Sequence, residues 1–416
     1  MVKAAEFKNP YRPGAGHMPP YLAGREKEYA EFDRLLEQDE ILDNLVLTGL
    51  RGVGKTVLLE TFKPRAIEKG WRWSAADLSE SASISETALA GRLLADLALV
   101  TTSASVAPAQ GPRVGFAAST EPVDVPLTHD VLVEVYAQTP GLVSDKLKAT
   151  LEFAWEQLRT QDDHRVVFAY DEAQNLADHA GKEQFPLSVL LDVFQSIQKK
   201  GIPFMLVLAG LPTLFPKLVD ARTYAERMFR VMTLTRLTEE ESREAILRPI
   251  EVAGCPVKLS SGSVELIIHE SAGYPYFIQF IGREVYDVFI RQHADEEQKL
   301  VPVEAIQRKL DADFFAGRWA RITDRQRELL WVVAQLERPD DEFTIAELTD
   351  KAQSLLLKGF SPSNANQMLA SLAEKGMIYK NRLGKYSFAV PLLGRFILRT
   401  YALPNSNPES EDIPLF

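Results

Sequence analysis

Between residues 47 and 60 the sequence reads LTGLRGVGKTVLLE, and no other stretch limits the fold as tightly. The run NLVLTG at 44–49 predicts a short buried strand, and the segment from Lys55 to about Lys69 predicts a helix. Between them Gly49, Gly54, Lys55 and Thr56 fall in the pattern G-x-x-x-x-G-K-[ST]. Gly52 adds a freedom that the pattern does not demand. Glycines let backbone N–H groups curl around phosphate oxygens, and the N-terminus of the following helix adds its dipole. Lys55 is then suited to reach the β and γ phosphates, and the Thr56 hydroxyl to bind Mg²⁺. A nucleotide loop is expected over Gly49, Leu50, Arg51, Gly52, Val53, Gly54, Lys55, Thr56 and Val57. The competing reading is a glycine turn without a ligand.

A second element is VVFAYDEAQ, where an aliphatic strand ends in Asp171 and Glu172. Such a strand delivers acids to the carboxyl edge of a sheet. Asp171 is suited to hold the water shell of Mg²⁺, and Glu172 to orient or deprotonate an attacking water. Alone the pair is weak, because strands often end in acids; downstream of a phosphate loop it gains weight.

Further strands are predicted at 71–78, 203–210 and 230–235, with helices at about 142–159 and 185–200. Strands alternating with helices over 20–236 imply an α/β fold with a parallel sheet covered on both faces. Residues 1–20, rich in Pro and Gly, predict an extended lead, and 100–140 an insertion whose first part is rich in Ser, Thr, Ala, Gly and Pro. From Thr238 the pattern is helical. Beyond Arg321 three helices and a hairpin around RLGK predict a winged helix-turn-helix, followed by an acidic tail expected to be disordered.

Taken together, the phosphate loop, the DE strand, a further strand, a helical lid and a winged helix resemble an AAA+ ATPase. The branches suggested are the origin-recognition initiator ATPases and the STAND signalling ATPases. The resemblance covers roughly residues 20–400 and implies ATP with Mg²⁺ as cofactors. It divides the chain into a lead at 1–20, an ATPase core at 21–237, a lid at 238–317, a winged helix at 318–402 and a tail at 403–416. LAGREKEY resembles the group's entry motif, so Tyr21, Leu22 and Arg25 are expected near the base, with Pro275 of the lid motif AGYPYFIQFIG. In that motif Gly273 and Pro275 match the STAND-type G-x-P, while Tyr276 stands where initiators place a sensing arginine.

The resemblance also implies a polar γ-phosphate sensor at the end of the fourth strand. Here that strand ends in Ala209 and Gly210, and Thr213 is the only nearby substitute. Among Arg222, Arg227 and Arg230, Arg227 best matches the arginine that reaches a neighbouring subunit's nucleotide, which implies a homo-oligomer and adds Arg227 to the catalytic set with Lys55 and Glu172. An ordinary solvated arginine cluster is the alternative.

The net charge of −11 argues against a chain coated in nucleic acid, but residues 321–402 carry 12 Lys and Arg against 9 Asp and Glu. Ser363, Asn364, Asn366 and Gln367 are suited to base edges, and Lys380, Arg382 and Lys385 to phosphates of double-stranded DNA. An unidentified protein partner is the other reading of such a unit. Trp71 and Trp73 alternate along one strand face, and His164 and His179 lack companions at metal spacing. One cysteine, Cys255, gives no disulfide framework, and no apolar run reaches membrane-spanning length. A soluble, cytoplasmic protein without a membrane role is expected.

Overall fold

The computed structural model describes residues 8–401 except 15, 103–104, 107–124, 162, 256–257, 296–302, 338–341, 358 and 383. The tail and the central part of the insertion lie outside the described residues. The chain begins with α1 (Glu26–Leu36), β1 (Asn44–Gly49), α2 (Lys55–Glu68), β2 (Trp71–Asp77) and α3 (Glu86–Thr101). A two-residue pair, β3 (Ser105–Val106) with β4 (Val125–Pro126), closes the neck of the insertion. Then come α4 (His129–Gln138), α5 (Val143–Leu158), β5 (Arg165–Asp171), α6 (Pro186–Gln198), β6 (Phe204–Gly210), α7 (Leu214–Ala221), α8 (Ala225–Met228) and β7 (Phe229–Leu234).

Five strands form one parallel sheet in the order β2-β5-β6-β1-β7. The sequence pattern dictates which strands are central. Every residue of β1 and β6 is buried, as aliphatic strands covered on both faces must be, whereas β2 and β7 at the edges mix buried and accessible positions. One core packs α3, α5 and α6 against Phe168, Phe204 and Leu206; the other packs α1 and α2 against Leu45, Val167 and Met205. Trp71 belongs to the second core and donates its indole N–H to the Leu36 carbonyl at 3.1 Å, so it is a packing residue.

The chain continues as α9 (Glu239–Val252), α10 (Ser261–Ser271), α11 (Pro275–Asp295) and α12 (Val303–Leu310), then a π-helical turn at Asp311–Ala316 and α13 (Gly317–Trp319). Thr238 starts α9 with a reciprocal cap: its hydroxyl takes the Glu241 N–H, and Glu241 takes the Thr238 N–H. The last unit comprises α14 (Asp324–Ala334), α15 (Ile345–Ser354), α16 (Pro362–Glu374), the hairpin β8 (Ile378–Arg382) and β9 (Lys385–Phe388), and α17 (Leu393–Thr400). Phe343 and Tyr386 exchange backbone hydrogen bonds and add a short third edge to that hairpin.

One continuous apolar cluster runs from Ile246 and Phe277 through Phe315 to Leu369 and Phe396. The helices after the sheet and the C-terminal unit therefore share a core. Tyr11 of the lead is inserted in that cluster, 3% exposed, with its hydroxyl donated to the Ile246 carbonyl at 2.6 Å. Asn9 adds side-chain hydrogen bonds to the Arg283 carbonyl and Asp287 on α11. No helix among the described residues is long and apolar enough to cross a membrane.

Candidate nucleotide site

The loop between β1 and α2 leaves the sheet at its carboxyl edge, between the ends of β6 and β7. Gly49 lies so close to β7 that a Cβ there would meet the Leu234 carbonyl at 2.6 Å. Gly52, the glycine the pattern left unexplained, has φ +79° and lies against Tyr276, whose N–H donates to the Gly52 carbonyl at 3.1 Å. A side chain at 52 would strain the backbone and crowd this contact. The phosphate-type loop and α11 thus touch directly.

Lys55 opens α2 and folds its ammonium back onto the Gly49 and Leu50 carbonyls, 2.9 Å from each. Burial lowers its pKa to about 8, and Arg51 adds to the fall; Asp171 and Glu172 act in the opposite sense. The Thr56 hydroxyl donates to Asp171 Oδ2 at 2.5 Å, and Asp171 Oδ1 accepts the Glu172 N–H at 2.7 Å. Asp171 is only 5% exposed. It is thereby held by the first turn of α2 although β6 separates its strand from β1.

Glu172 is exposed and has φ +51°, a conformation uncommon for a residue with a side chain. The turn carries Gln174, whose amide donates to the Glu172 carboxylate and whose oxygen accepts the Leu211 N–H at 3.1 Å. Gln174, not Thr213, is therefore the polar side chain bound at the end of β6. Thr213 lies at the start of α7 and is absent from the residues that line the cavity.

A cavity of about 460 Å³ opens over the loop. Arg51, Lys55, Thr56 and Glu172 line it together with Tyr21, Leu22 and Pro275. Val57, Arg25, Gly52, Val53 and Gly54 also reach its surface. Arg25 is 4% exposed and donates to the Val53 carbonyl at 2.9 Å and the Thr235 carbonyl at 3.3 Å, so it braces the loop against the chain beyond β7. Tyr21 donates its hydroxyl to Glu244 of α9 at 3.2 Å.

Several lining residues escaped sequence reasoning. Arg12, Gly16 and His17 come from the lead, where a Pro- and Gly-rich composition predicts only extension. Asp313, Phe314 and Arg318 come from the segment before the C-terminal unit, more than 250 residues from the loop, and belong to no pattern. Gln174 was legible only as the last letter of DEAQ.

Of the three arginines near β7, two are paired within the chain. Arg222 grips Asp192 through two nitrogens at 2.9 and 2.7 Å, and Arg230 meets Glu31 at 2.6 Å. Arg227 is exposed, has no ion-pair partner among the described residues, and lines a separate hollow with Glu40 and Tyr224. On the C-terminal unit Ser363, Asn364, Asn366, Gln367 and Lys380 are exposed. Asn364 donates to the Gly359 carbonyl at 2.7 Å and Asn366 accepts from the Tyr386 hydroxyl at 3.0 Å, which leaves Ser363 and Gln367 the freer pair. Lys385 is half-buried, and the side chain of Arg382 lies outside the described residues. His164 and His179 contact the carbonyls of Gln161 and Ser83, and no group of three or more His, Cys, Asp or Glu residues suited to a metal occurs among the described residues.

A glycine loop between β1 and α2, an acid-tipped β5 and the strand order β2-β5-β6-β1-β7 define a P-loop nucleotide fold of the AAA+ type. Residues 21–209 match the family model described as an AAA ATPase domain. Residues 312–397 match a domain of unknown function (DUF8462). No curated protein matches the sequence.

Among solved structures, the Walker-type ATPase of Pyrococcus abyssi is 15% identical with a TM-score of 0.57, over 93% of this chain and 98% of that one. The ORC2 protein of Aeropyrum pernix, solved as ADPNP-ADP complexes, is 13% identical with a TM-score of 0.53, over 92% and 95%. At these identities the likeness is one of fold.

Proposed function

We propose that the chain is a Mg²⁺-dependent ATP switch that couples nucleotide state to its C-terminal unit, read as a winged helix, and acts on DNA or a DNA-bound complex in replication, transposition or genome defence. The observation that carries this reading is the bond from Tyr276 N–H to the Gly52 carbonyl, because it ties the nucleotide loop to helices that share one core with the C-terminal unit. A change at the loop then has a mechanical route outward.

The residues present fit Mg²⁺. This ion takes oxygen ligands, usually one or two carboxylates with phosphates and water, and Asp171 and Thr56 supply a buried carboxylate and a hydroxyl already in register. When bound, the ion would supply positive charge against that of the phosphates. Lys55, freed from the Gly49 and Leu50 carbonyls, contributes a further cation to those phosphates. Glu172 orients a water for attack on the terminal phosphorus and takes up its proton, while the bond to the bridging oxygen breaks and ADP leaves. Tyr21, Leu22 and Pro275 hold the base. Arg227, unpaired within its own chain among the described residues, is available to a neighbouring copy's nucleotide.

DNA contact is supported by the exposed Ser363 and Gln367 on α16 and by Lys380 on β8. A second reading, a slowly turning signalling ATPase whose C-terminal unit holds a protein partner, is favoured by Gly273 and Pro275, which match the STAND-type lid motif, and by Tyr276 in the place of a sensing arginine. The test is the ATPase rate with and without double-stranded DNA, for wild type and Glu172→Gln, with mass measured in ATP. Stimulation by DNA supports the first reading; nucleotide-dependent assembly without stimulation selects the second. No turnover above Glu172→Gln under any condition would remove the enzymatic reading.

A further inference from the structure

Arg318 belongs to α13, just before the C-terminal unit, yet it lines the same cavity as Lys55, Thr56 and Glu172. Its guanidinium is steadied from its own segment: it donates to the Phe314 carbonyl and lies over the Phe314 ring, 4.7 Å from the centroid. It has no carboxylate partner among the described residues, although Asp313 also lines the cavity. Burial lowers its pKa, and repulsion from Arg51 is the next cause. Arg51 also repels Lys55. Three cations thus line one open cavity, with Arg51 repelling both of the others, an arrangement that a polyanion would relieve.

The same segment is bound firmly to the C-terminal unit. Phe315 stacks on Phe396 at 5.0 Å, Trp319 packs edge-on against Phe396 at 5.8 Å and Tyr401 at 5.7 Å, and Arg399 pairs with Asp311 at 2.6 Å. Arg327 of α14 donates to the Trp319 carbonyl at 3.2 Å. A pull on Arg318 is therefore a pull on α14 and α17.

We propose that Arg318 is a phosphate-binding residue which, lining one cavity with Arg51 and Lys55, contacts the terminal phosphate of a nucleoside triphosphate and so draws the C-terminal unit onto the ATPase domain. The inference rests on the nucleotide reading above and adds to it an arginine from outside the ATPase domain and a preference for triphosphate over diphosphate. Arg is suited to the role because its fork engages phosphate oxygens through two N–H groups, which a lysine cannot reproduce.

The test is calorimetric titration of the full chain with a non-hydrolysable ATP analogue and with ADP, each with Mg²⁺, for wild type, Arg318→Gln and Arg318→Lys. Arg318→Gln keeps a side chain able to reach the Phe314 carbonyl, and an unchanged melting temperature establishes that it folds. The expected result is a loss of about tenfold or more in analogue affinity, ADP affinity held within about twofold, and partial recovery in Arg318→Lys. Equal losses for both nucleotides, or for neither, overturn the inference while leaving the nucleotide site standing. Wild type that binds neither nucleotide overturns the underlying reading as well.

Discussion

Gln174 joins Glu172 to the end of β6: one end of its carboxamide donates to the Glu172 carboxylate and the other accepts the Leu211 N–H at 3.1 Å. A Cβ on Gly210 would meet Gln174 Oε1 at 2.6 Å, so the glycine that ends β6 makes room for this amide. The polar group absent from that strand is supplied from the next turn of β5.

Replacing Glu172 by Gln should lower the steady-state ATPase rate by about 10² to 10⁴ and leave ATP affinity unchanged, because it removes proton acceptance without altering shape. Gln174→Ala should lower kcat by about tenfold with little change in KM, since a carboxylate released from its prop spends less time aligned. Steady-state kinetics on both variants provides the check, and a Gln174→Ala enzyme as fast as wild type would show that the amide only fills space.

Lys55 gives a pH signature. Its pKa in the folded protein is lowered to about 8 by burial, so between that value and its ordinary 10.5 the unfolded chain holds the extra proton. Folding stability should therefore rise as pH increases through 8, with the penalty fully present below it. Lys55→Met should melt higher than wild type at pH 7 without nucleotide, and the gap should close toward pH 10 in scanning calorimetry. Affinity for ATP should move the other way in wild type, weakening above pH 8 as the ammonium loses its charge.

Arg227→Ala should abolish turnover while sparing ATP binding, and adding a Glu172→Gln chain that retains Arg227 should restore activity through mixed assemblies. Rates measured across mixing ratios test this. Normal turnover by Arg227→Ala alone would return the residue to the role of a solvated surface cation.

On the C-terminal unit, Lys380→Ala should weaken double-stranded DNA binding evenly across sequences and reduce the slope of log affinity against log salt by about one. Gln367→Ala should instead alter preference among sequences. Fluorescence anisotropy of the full chain over a salt series separates the two, and an affinity indifferent to salt would exclude phosphate contact.

The parts of the molecule legible in the sequence are those written in contiguous signals. Strands β1, β5 and β6 are aliphatic runs, α9 begins with an acid-rich cap, and the phosphate-type loop is a pattern of eight residues. Arg318, Tyr11 and Gln174 were not legible for a common reason: each matters through a partner that the chain brings near only by folding. Arg318 lines one cavity with Arg51, Tyr11 enters a cluster built by α9 and α11, and Gln174 bridges two strand ends. Gly52 was readable as a glycine but not as the seat of Tyr276, because that contact belongs to α11.

The insertion of Tyr11 into the helical cluster also sets a mechanical limit. Residues 9–12 are fastened to α11 and α9, whereas Arg25 is fastened to the glycine loop. The intervening stretch from Pro13 to Gly24, fully extended, spans about 40 Å. The lead is thus a leash with a fixed length: however far the helical half swings from the sheet, it travels only until this strap is taut, and its arc is written in the number of residues between two anchors.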